Sequence, residues 1–266
     1  MMKRKKLPLL ISIPHGGTLV PSEIVHSAAL SRRDILLDGD AETGKIFNFR
    51  GRAADIIEMP YARAIIDVNR PPFDLPPLNE DGAVKTVRVN GQAVYIGGKY
   101  PDTAVIKKLI KKYHFNFHRK ISRRLSSSVH KAAFDCHSML PSDPKTGKAR
   151  PLICISNNGN SRGFSTHSRA ATCPARWMKE LRSLFSLIFS GEGEISINNP
   201  FYGGYITRHH CASRGVPWIQ IEINRSLYLN TPYFDPQTLK ISESRLTELR
   251  ERIYWVLEKF CSRFFK

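Results

Sequence analysis

The sequence predicts an α/β fold in which a mixed, mostly parallel sheet is covered by helices on both faces. Three observations carry that expectation. Short apolar runs of strand character alternate along the chain with longer helical stretches. The 266 residues are 41% hydrophobic, enough to bury a sizeable core. No internal repeat or convincing linker divides the chain, so residues 1–266 are read as one domain.

The first run, LPLLISIP (7–14), reads as a buried strand that ends in the turn Pro14-His15-Gly16-Gly17. Residues 22–37 read as a helix, and 38–57 continue into a helical stretch. ARAIIDVNRPP (62–72) reads as a second strand, stopped by Pro71-Pro72, which cannot pair in a central ladder. Residues 73–100 are loop-rich, with a hairpin expected in TVRVNGQAVYI, where Asn90-Gly91 is a type I′ turn signal. Ala104 to Lys131 is a long basic helix. AAFDCHSM (132–139) and PLICIS (151–156) are strands, the latter followed by a Gly/Asn/Ser loop over 157–168. Residues 174–190 form a helix, 201–208 and 218–223 strands, and 242–264 a closing amphipathic helix.

Charge is the unusual feature of the composition. Lys and Arg number 41 against 23 Asp and Glu, a formal net charge of +18. Such a surface attracts anions, whether small carboxylates, phosphates or nucleic acid, but the basic residues are scattered and read mainly as solvated helix faces. The five cysteines have no CxxC spacing, which argues against a disulfide framework and for a reducing, cytoplasmic setting. The start MMKRKKLPLLISIPHGG is too short in its apolar part, and too interrupted by Pro8, for a leader; it reads as the first strand. No run approaches the roughly 18 apolar residues of a membrane span.

Polar residues gather where apolar runs end, the place where open α/β sheets bind ligands. They are His15, Asn69 and Arg70, Asp135 and His137, Arg208 with His209 and His210, and Glu222; Asp38, Asp40 and Glu42 precede a helical stretch. Two histidines and one carboxylate with an open position form the donor set of a hydrolytic zinc site. Such chemistry also wants a further carboxylate to move a proton, and arginines to stabilise an oxyanion or grip a substrate carboxylate. The bland alternatives are specific. Asp38 or Asp40 could cap a helix, Arg70 could pair with Asp67 or Asp74, and Asp135 could be a plain loop cap or could orient an imidazole. Glu222 in an apolar strand is costly to bury unpaired, which favours a site role. Arg225 could pair with Glu222 or with substrate. His209 and His210, as neighbours in a strand, could not both face one site. His114 and His118 have i, i+4 spacing on the basic helix, but packing is the expected role of His114. Cys136 alternates with His137 and belongs to the core.

Taken in order, Ile13-Pro14-His15-Gly16-Gly17, Asp38-Gly39-Asp40, Asp67-Val68-Asn69-Arg70-Pro71-Pro72, Asp135-Cys136-His137-Ser138, Gly203-Gly204-Tyr205-Ile206-Thr207-Arg208-His209 and Gln220-Ile221-Glu222-Ile223 resemble the N-formylglutamate amidohydrolase family over residues 11 to about 228. The resemblance implies a three-layer α/β/α sandwich, like zinc carboxypeptidases and aspartoacylase-like enzymes. It implies Zn2+ held by His15, His137 and a carboxylate from 38–42, with Glu222 as base and acid. It further implies that Asn69, Arg70, Tyr205 and Arg208 bind substrate, with Arg208 also a candidate for the oxyanion, and that His118 lines the pocket. Carboxypeptidases carry the metal Glu three residues after the first His, where this chain has Thr18, so Asp38, Asp40 or Glu42 must serve. The family often has His at the position of Glu42, which favours Asp40. The implied reaction is hydrolysis of a small acidic N-acyl amino acid, N-formyl-L-glutamate above all, by a single catalytic domain.

Two rivals remain at this level. One is an amidohydrolase or carboxypeptidase-like enzyme acting on another N-acyl amino acid or a small peptide. The other is a nucleic-acid-binding protein, suggested by the net charge and by Tyr113, Phe115 and Phe117 interleaved in the basic helix 107–124. No RRM, KH or helix-turn-helix signature supports the latter.

Overall fold

The computed structural model describes residues 6–265. The first five residues of the run read against a leader therefore lie outside the described residues. A six-stranded sheet has the order β2-β1-β3-β6-β4-β5, formed by β1 (Leu7–Ile13), β2 (Ala53–Glu58), β3 (Ala132–Met139), β4 (Ile153–Ser156), β5 (Ile195–Ile197) and β6 (Trp218–Asn224). Strands β2, β1, β3 and β6 run parallel. β4 pairs antiparallel with β6, and β5 runs parallel with β4. The sheet is mixed and mostly parallel.

The period-two alternation of the central strands decides which face is which. Leu9 and Ile11 of β1, Phe134 and Cys136 of β3, and Ile219, Ile221 and Ile223 of β6 share one face, which is apolar as far as Ser138 near the end of β3. That face is covered by α2 (Thr43–Ile46), α5 (Ala175–Ile188) and α7 (Glu243–Phe264). Phe260 of α7 meets both Phe134 and Trp177 edge-to-face. The other face begins apolar, with Leu10, Ala133 and Trp218 packed under α4 (Phe115–Leu125) and α6 (Tyr205–Arg214). Farther along the same strands it turns polar, through Ser12, then Asp135 and His137, then Gln220 and Glu222, all buried. Helices on both sides of one sheet give three layers, as expected.

Local chemistry starts several helices. Ser242 caps α7 by accepting from the Arg245 amide, and Asp102 caps α3 (Thr103–Leu109) by accepting from Val105. Ser31 and Asp34 form a reciprocal capping box at the start of α1 (Arg32–Asp38).

Several expected elements are corrected. The last part of the stretch 38–57, expected to be helical, belongs to an edge strand, Ala53–Glu58, because pairing with β1 overrides the helix preference of its alanines. Residues 62–72, expected as a strand, are a series of turns. Their apolar residues Ile65, Ile66 and Val68 are fully buried, but only isolated backbone bonds to 83–85 form, so burial without a ladder produced the strand-like pattern. The segment from Tyr205 is a helix, not a strand. Helix 22–37 is confined to its last turns, Arg32–Asp38. The long basic helix ends at Leu125 and contains a π turn over Ile110–His114. The Asn90-Gly91 turn is present, with Gly91 at φ +80°, but it joins only the single bridge Val87–Ala93. Tyr113 and Phe117 of the basic helix are buried in the core, so they do not form the exposed stacking platform that nucleic-acid binding would need. No helix among the described residues is long and apolar enough to cross a membrane.

Burial of the isoleucine row of β6 predicts the stability response. Ile221→Ala, at a fully buried position, should cost about 3 kcal/mol in urea unfolding. Leu187→Ala, at an exposed position on α5, should stay within about 0.5 kcal/mol.

Candidate active site

The polar half of the sheet's second face opens into a cavity of about 360 Å³ whose wall includes His15, Asp40, His137 and Glu222. His15, His137 and Glu222 arrive from a strand end or the turn after it, and Asp40 from the turn that follows α1. His15 lies two residues past β1, where Gly17 packs so tightly on Met59 and Pro60 that a Cβ would come within 2.3 Å of backbone atoms. His137 belongs to β3 and sits directly opposite Glu222 in the β3–β6 register, with Asp135 opposite Gln220. Asp40 is held beside His15 by its own amide, which donates to the His15 carbonyl (2.9 Å).

Three atoms converge. His137 Nδ1 lies 3.1 Å from His15 Nδ1 and 3.0 Å from Asp40 Oδ2, and His15 Nδ1 lies 3.4 Å from the same oxygen. The far nitrogens of both rings face carboxylates. His15 Nε2–H donates to Asp67 Oδ1 (2.7 Å), and His137 Nε2–H donates to Asp135 Oδ2 (2.9 Å). Those bonds fix the ring orientations: a neutral imidazole then turns its Nδ1 lone pair toward Asp40, and in the metal-free protein a proton on Nδ1 is donated to that carboxylate. Two neutral-ring lone pairs and an anionic oxygen this close repel unless a positive charge, a proton or a metal ion, sits among them. The donor set and the separations fit a tetrahedral zinc, whose ligands at about 2.0–2.1 Å stand roughly 3.3 Å apart.

The surroundings carry the same sign. Asp40, Asp67, Asp135 and Glu222 are all buried around the two imidazoles. Arg225 Nη2 donates to Asp40 Oδ1 (3.1 Å), Arg63 Nε to Asp67 Oδ2 (3.1 Å) and Ser12 Oγ to Asp135 Oδ1 (2.8 Å). Burial pushes the Asp40 carboxyl upward, but hydrogen bonds from His137 and His15 overcome it and hold Asp40 well below the usual carboxylate range. Asp67 is likewise lowered, against burial, by His15 and Arg63. For His137 burial acts downward, and the Asp135 and Glu222 charges raise it well above the ordinary imidazole value. Glu222 goes the other way: burial lifts it to about 7, opposed by the two imidazoles. Gln220 Nε2 donates to Glu222 Oε1 (2.8 Å), which fixes the carboxyl's orientation.

The remaining expected residues divide. Asn69 lines the cavity, but its side chain also braces the neighbouring turn: Oδ1 accepts from the Ile206 amide (2.9 Å) and Nδ2 lies 3.4 Å from His137 Nε2. A Cβ on Gly204 would collide with that side chain at 2.1 Å. Arg70 lines the cavity and pairs with Asp81. Asp38 also lines it, but its Oδ1 accepts from the Val89 amide (2.7 Å), and it stands outside the three-atom cluster. Glu42 pairs with Lys45 and also stands outside. Arg208 and Tyr205 are corrections. Because their segment is a helix, Ile206, Thr207 and His210 turn inward and Arg208 turns to solvent. The Tyr205 ring stacks on His209, and neither Tyr205 nor Arg208 belongs to the cavity wall. Arg225 pairs with Asp40, not with Glu222.

Sequence reasoning missed Arg63, Arg150 and Gln220. Gln220 alternates in phase with Glu222, a signal that was readable. Arg150 was not: it enters the cavity wall from just before β4, 5.1 Å from the Phe201 ring, with its buried Nε unpartnered.

A buried set of this kind, at the carboxyl ends of a mostly parallel sheet, defines a hydrolase of α/β type. The family model described as N-formylglutamate amidohydrolase matches residues 7–229, and the chain belongs to that family. It is 26% identical over 234 residues to the N-formylglutamate deformylase of Pseudomonas putida, covering 84% of this chain and 82% of that one. To the N-formylglutamate deformylase of Pseudomonas aeruginosa it is 27% identical over 240 residues, 86% and 84% of the two chains. The fold is similar to the crystal structure of N-formylglutamate amidohydrolase from Ralstonia eutropha JMP134, with TM-score 0.74, 16% identity and coverage of 97% and 94%. A protein from Agrobacterium tumefaciens follows at TM-score 0.67, 16% identity and coverage of 98% and 93%.

The raised Glu222 predicts a pH effect on metal-free protein. The native state keeps this proton to about pH 7, whereas the unfolded chain releases it near the ordinary value of 4.5. Stability from this group is therefore complete below that value and declines as pH rises through the window between them. Glu222→Gln should remove the decline and be more stable than the parent at pH 8, by on the order of 2 kcal/mol in chelator-treated samples.

Proposed function

We propose that this chain hydrolyses N-formyl-L-glutamate to formate and glutamate, as a single catalytic domain that depends on zinc held by His15, Asp40 and His137. The observation that carries the reading is the convergence of His15 Nδ1, Asp40 Oδ2 and His137 Nδ1 within 3.4 Å of one another beside Glu222. The names of the two Pseudomonas relatives support the substrate. The five free cysteines suit a cytoplasmic, reducing compartment.

When bound, the zinc supplies a Lewis acid that polarises the formyl carbonyl and lowers the pKa of water. The protein's own groups do the rest. Glu222, oriented by Gln220 at Oε1, takes the proton of the attacking water through Oε2. The hydroxyl adds to the formyl carbon, the C–N bond breaks, and Glu222 returns the proton to the departing amine nitrogen. Asp67 and Asp135 hold the two imidazoles in the donor tautomer, and Arg225 holds Asp40. Arg70 and Arg150 line the cavity and match the two carboxylates of the substrate. Arg208, exposed on α6, has no part in this reading.

Formate release tests it. Glu222→Gln should reduce kcat by roughly 10²–10⁴-fold with zinc retained, and His137→Ala should lose both zinc and activity. Asp135→Asn should weaken zinc affinity by about 10–100-fold. Arg150→Met should raise KM by about tenfold or more with a smaller change in kcat, while Arg208→Ala leaves both nearly unchanged. Full formate release by chelator-treated enzyme would overturn the metal assignment, and no release by the zinc-loaded enzyme would overturn the substrate.

A further inference from the structure

A second group of imidazoles lies outside this machinery. His114 and His118 come from the basic helical segment, and His209 and His210 from α6. Four of the chain's nine histidines thus meet where α4 packs on α6. A contact that needed only packing would be filled with apolar side chains, as the rest of this half of the core is.

The tautomers are again set by the second nitrogen. His118 Nε2–H donates to the Val68 carbonyl (2.9 Å), so its Nδ1 is a lone pair. His210 Nε2 lies 2.9 Å from that Nδ1. His210 is buried and its Nδ1 has no partner. His209, one residue away, is exposed, and it offers a ring nitrogen within 4.8 Å of the donor atoms of the other two. This is possible because 205–214 is a helix. In a strand the two neighbours would have pointed to opposite faces.

We propose that His118, His209 and His210 form a second metal site, which takes a divalent ion of the zinc, nickel or copper class through three imidazole nitrogens. The donor set selects the class: imidazoles suit these ions, whereas magnesium and calcium require oxygen ligands. The solvent-exposed His209 leaves room for water to complete the coordination. An ion here ties α4 to α6. Through the Val68 carbonyl it also braces the turn that carries Asn69, whose side chain holds the Ile206 amide. The proposal does not depend on the hydrolase reading.

Zinc binding to the chelator-stripped full chain tests it, by equilibrium dialysis with elemental analysis. The parent should bind about two zinc ions per chain, and the His15→Ala/His137→Ala variant about one. Adding His209→Ala to that variant should weaken the remaining site by at least about tenfold. His209 is exposed, so this change leaves packing intact, and the same substitution in the parent should take binding from about two ions to about one. Zinc should also raise the Tm of the double variant but not of the triple variant. The proposal is overturned if His209→Ala leaves the stoichiometry and affinity of the parent unchanged, or if the folded double variant binds no more zinc than the triple.

Discussion

The parallel register of β3 on β6 is the constraint on which the site depends. It places His137 across from Glu222 and Asp135 across from Gln220, on the one face of the sheet that no apolar helix covers at that level. A slip of β3 by one residue would turn Asp135 and His137 into the isoleucine-rich core and leave Gln220 and Glu222 without them. The register is secured by that core itself, because a one-residue slip of either strand would take that strand's share of Phe134, Cys136, Ile219, Ile221 and Ile223 out of it. Hydrophobic packing on one side of the sheet thereby positions charged groups on the other.

Those charged groups are costly to bury, and the site is organised around compensating them. Asp67 and Asp135 each accept an imidazole N–H, Arg63 and Arg225 neutralise Asp67 and Asp40, and Ser12 and Gln220 supply further donors. The convergent Nδ1 and carboxylate lone pairs remain. Their separation suits a cation, and in the metal-free protein burial lifts Glu222 to about 7 against the pull of the two imidazoles. Two glycine turns make the arrangement possible, since Gly17 and Gly204 both sit where a Cβ would strike a neighbouring chain segment.

The two imidazole clusters differ in their neighbours. Around His15 and His137 the ring nitrogens pointing away from the convergence meet carboxylates, which strengthen the imidazoles as donors and balance a divalent charge. Around His118 and His210 they meet a backbone carbonyl or nothing, and the shell is aromatic, with Tyr205, His114 and Trp218 against the rings. The first environment suits chemistry on a substrate; the second suits a link between two helices.

Much of this was legible in the sequence because strand alternation is local. WIQIEIN and AAFDCHSM each show one apolar and one polar face, and the polar face named His137 and Glu222 directly. The turn Pro14-His15-Gly16-Gly17 marked His15 in the same way, and the ordered motifs identified the family. What the sequence left open depended on contacts between distant segments. Asp38, Asp40 and Glu42 are chemically equivalent on paper, and only the bonds of Asp38 to Val89, of Glu42 to Lys45 and of Asp40 to His15 separate them. The strand β2 and the helix from Tyr205 were misread because sheet pairing and the Asn69 brace, not local propensity, decide their backbone. Arg208 left the site and Arg150 entered it for the same reason: a side chain's direction follows its backbone, and that backbone was chosen by tertiary packing.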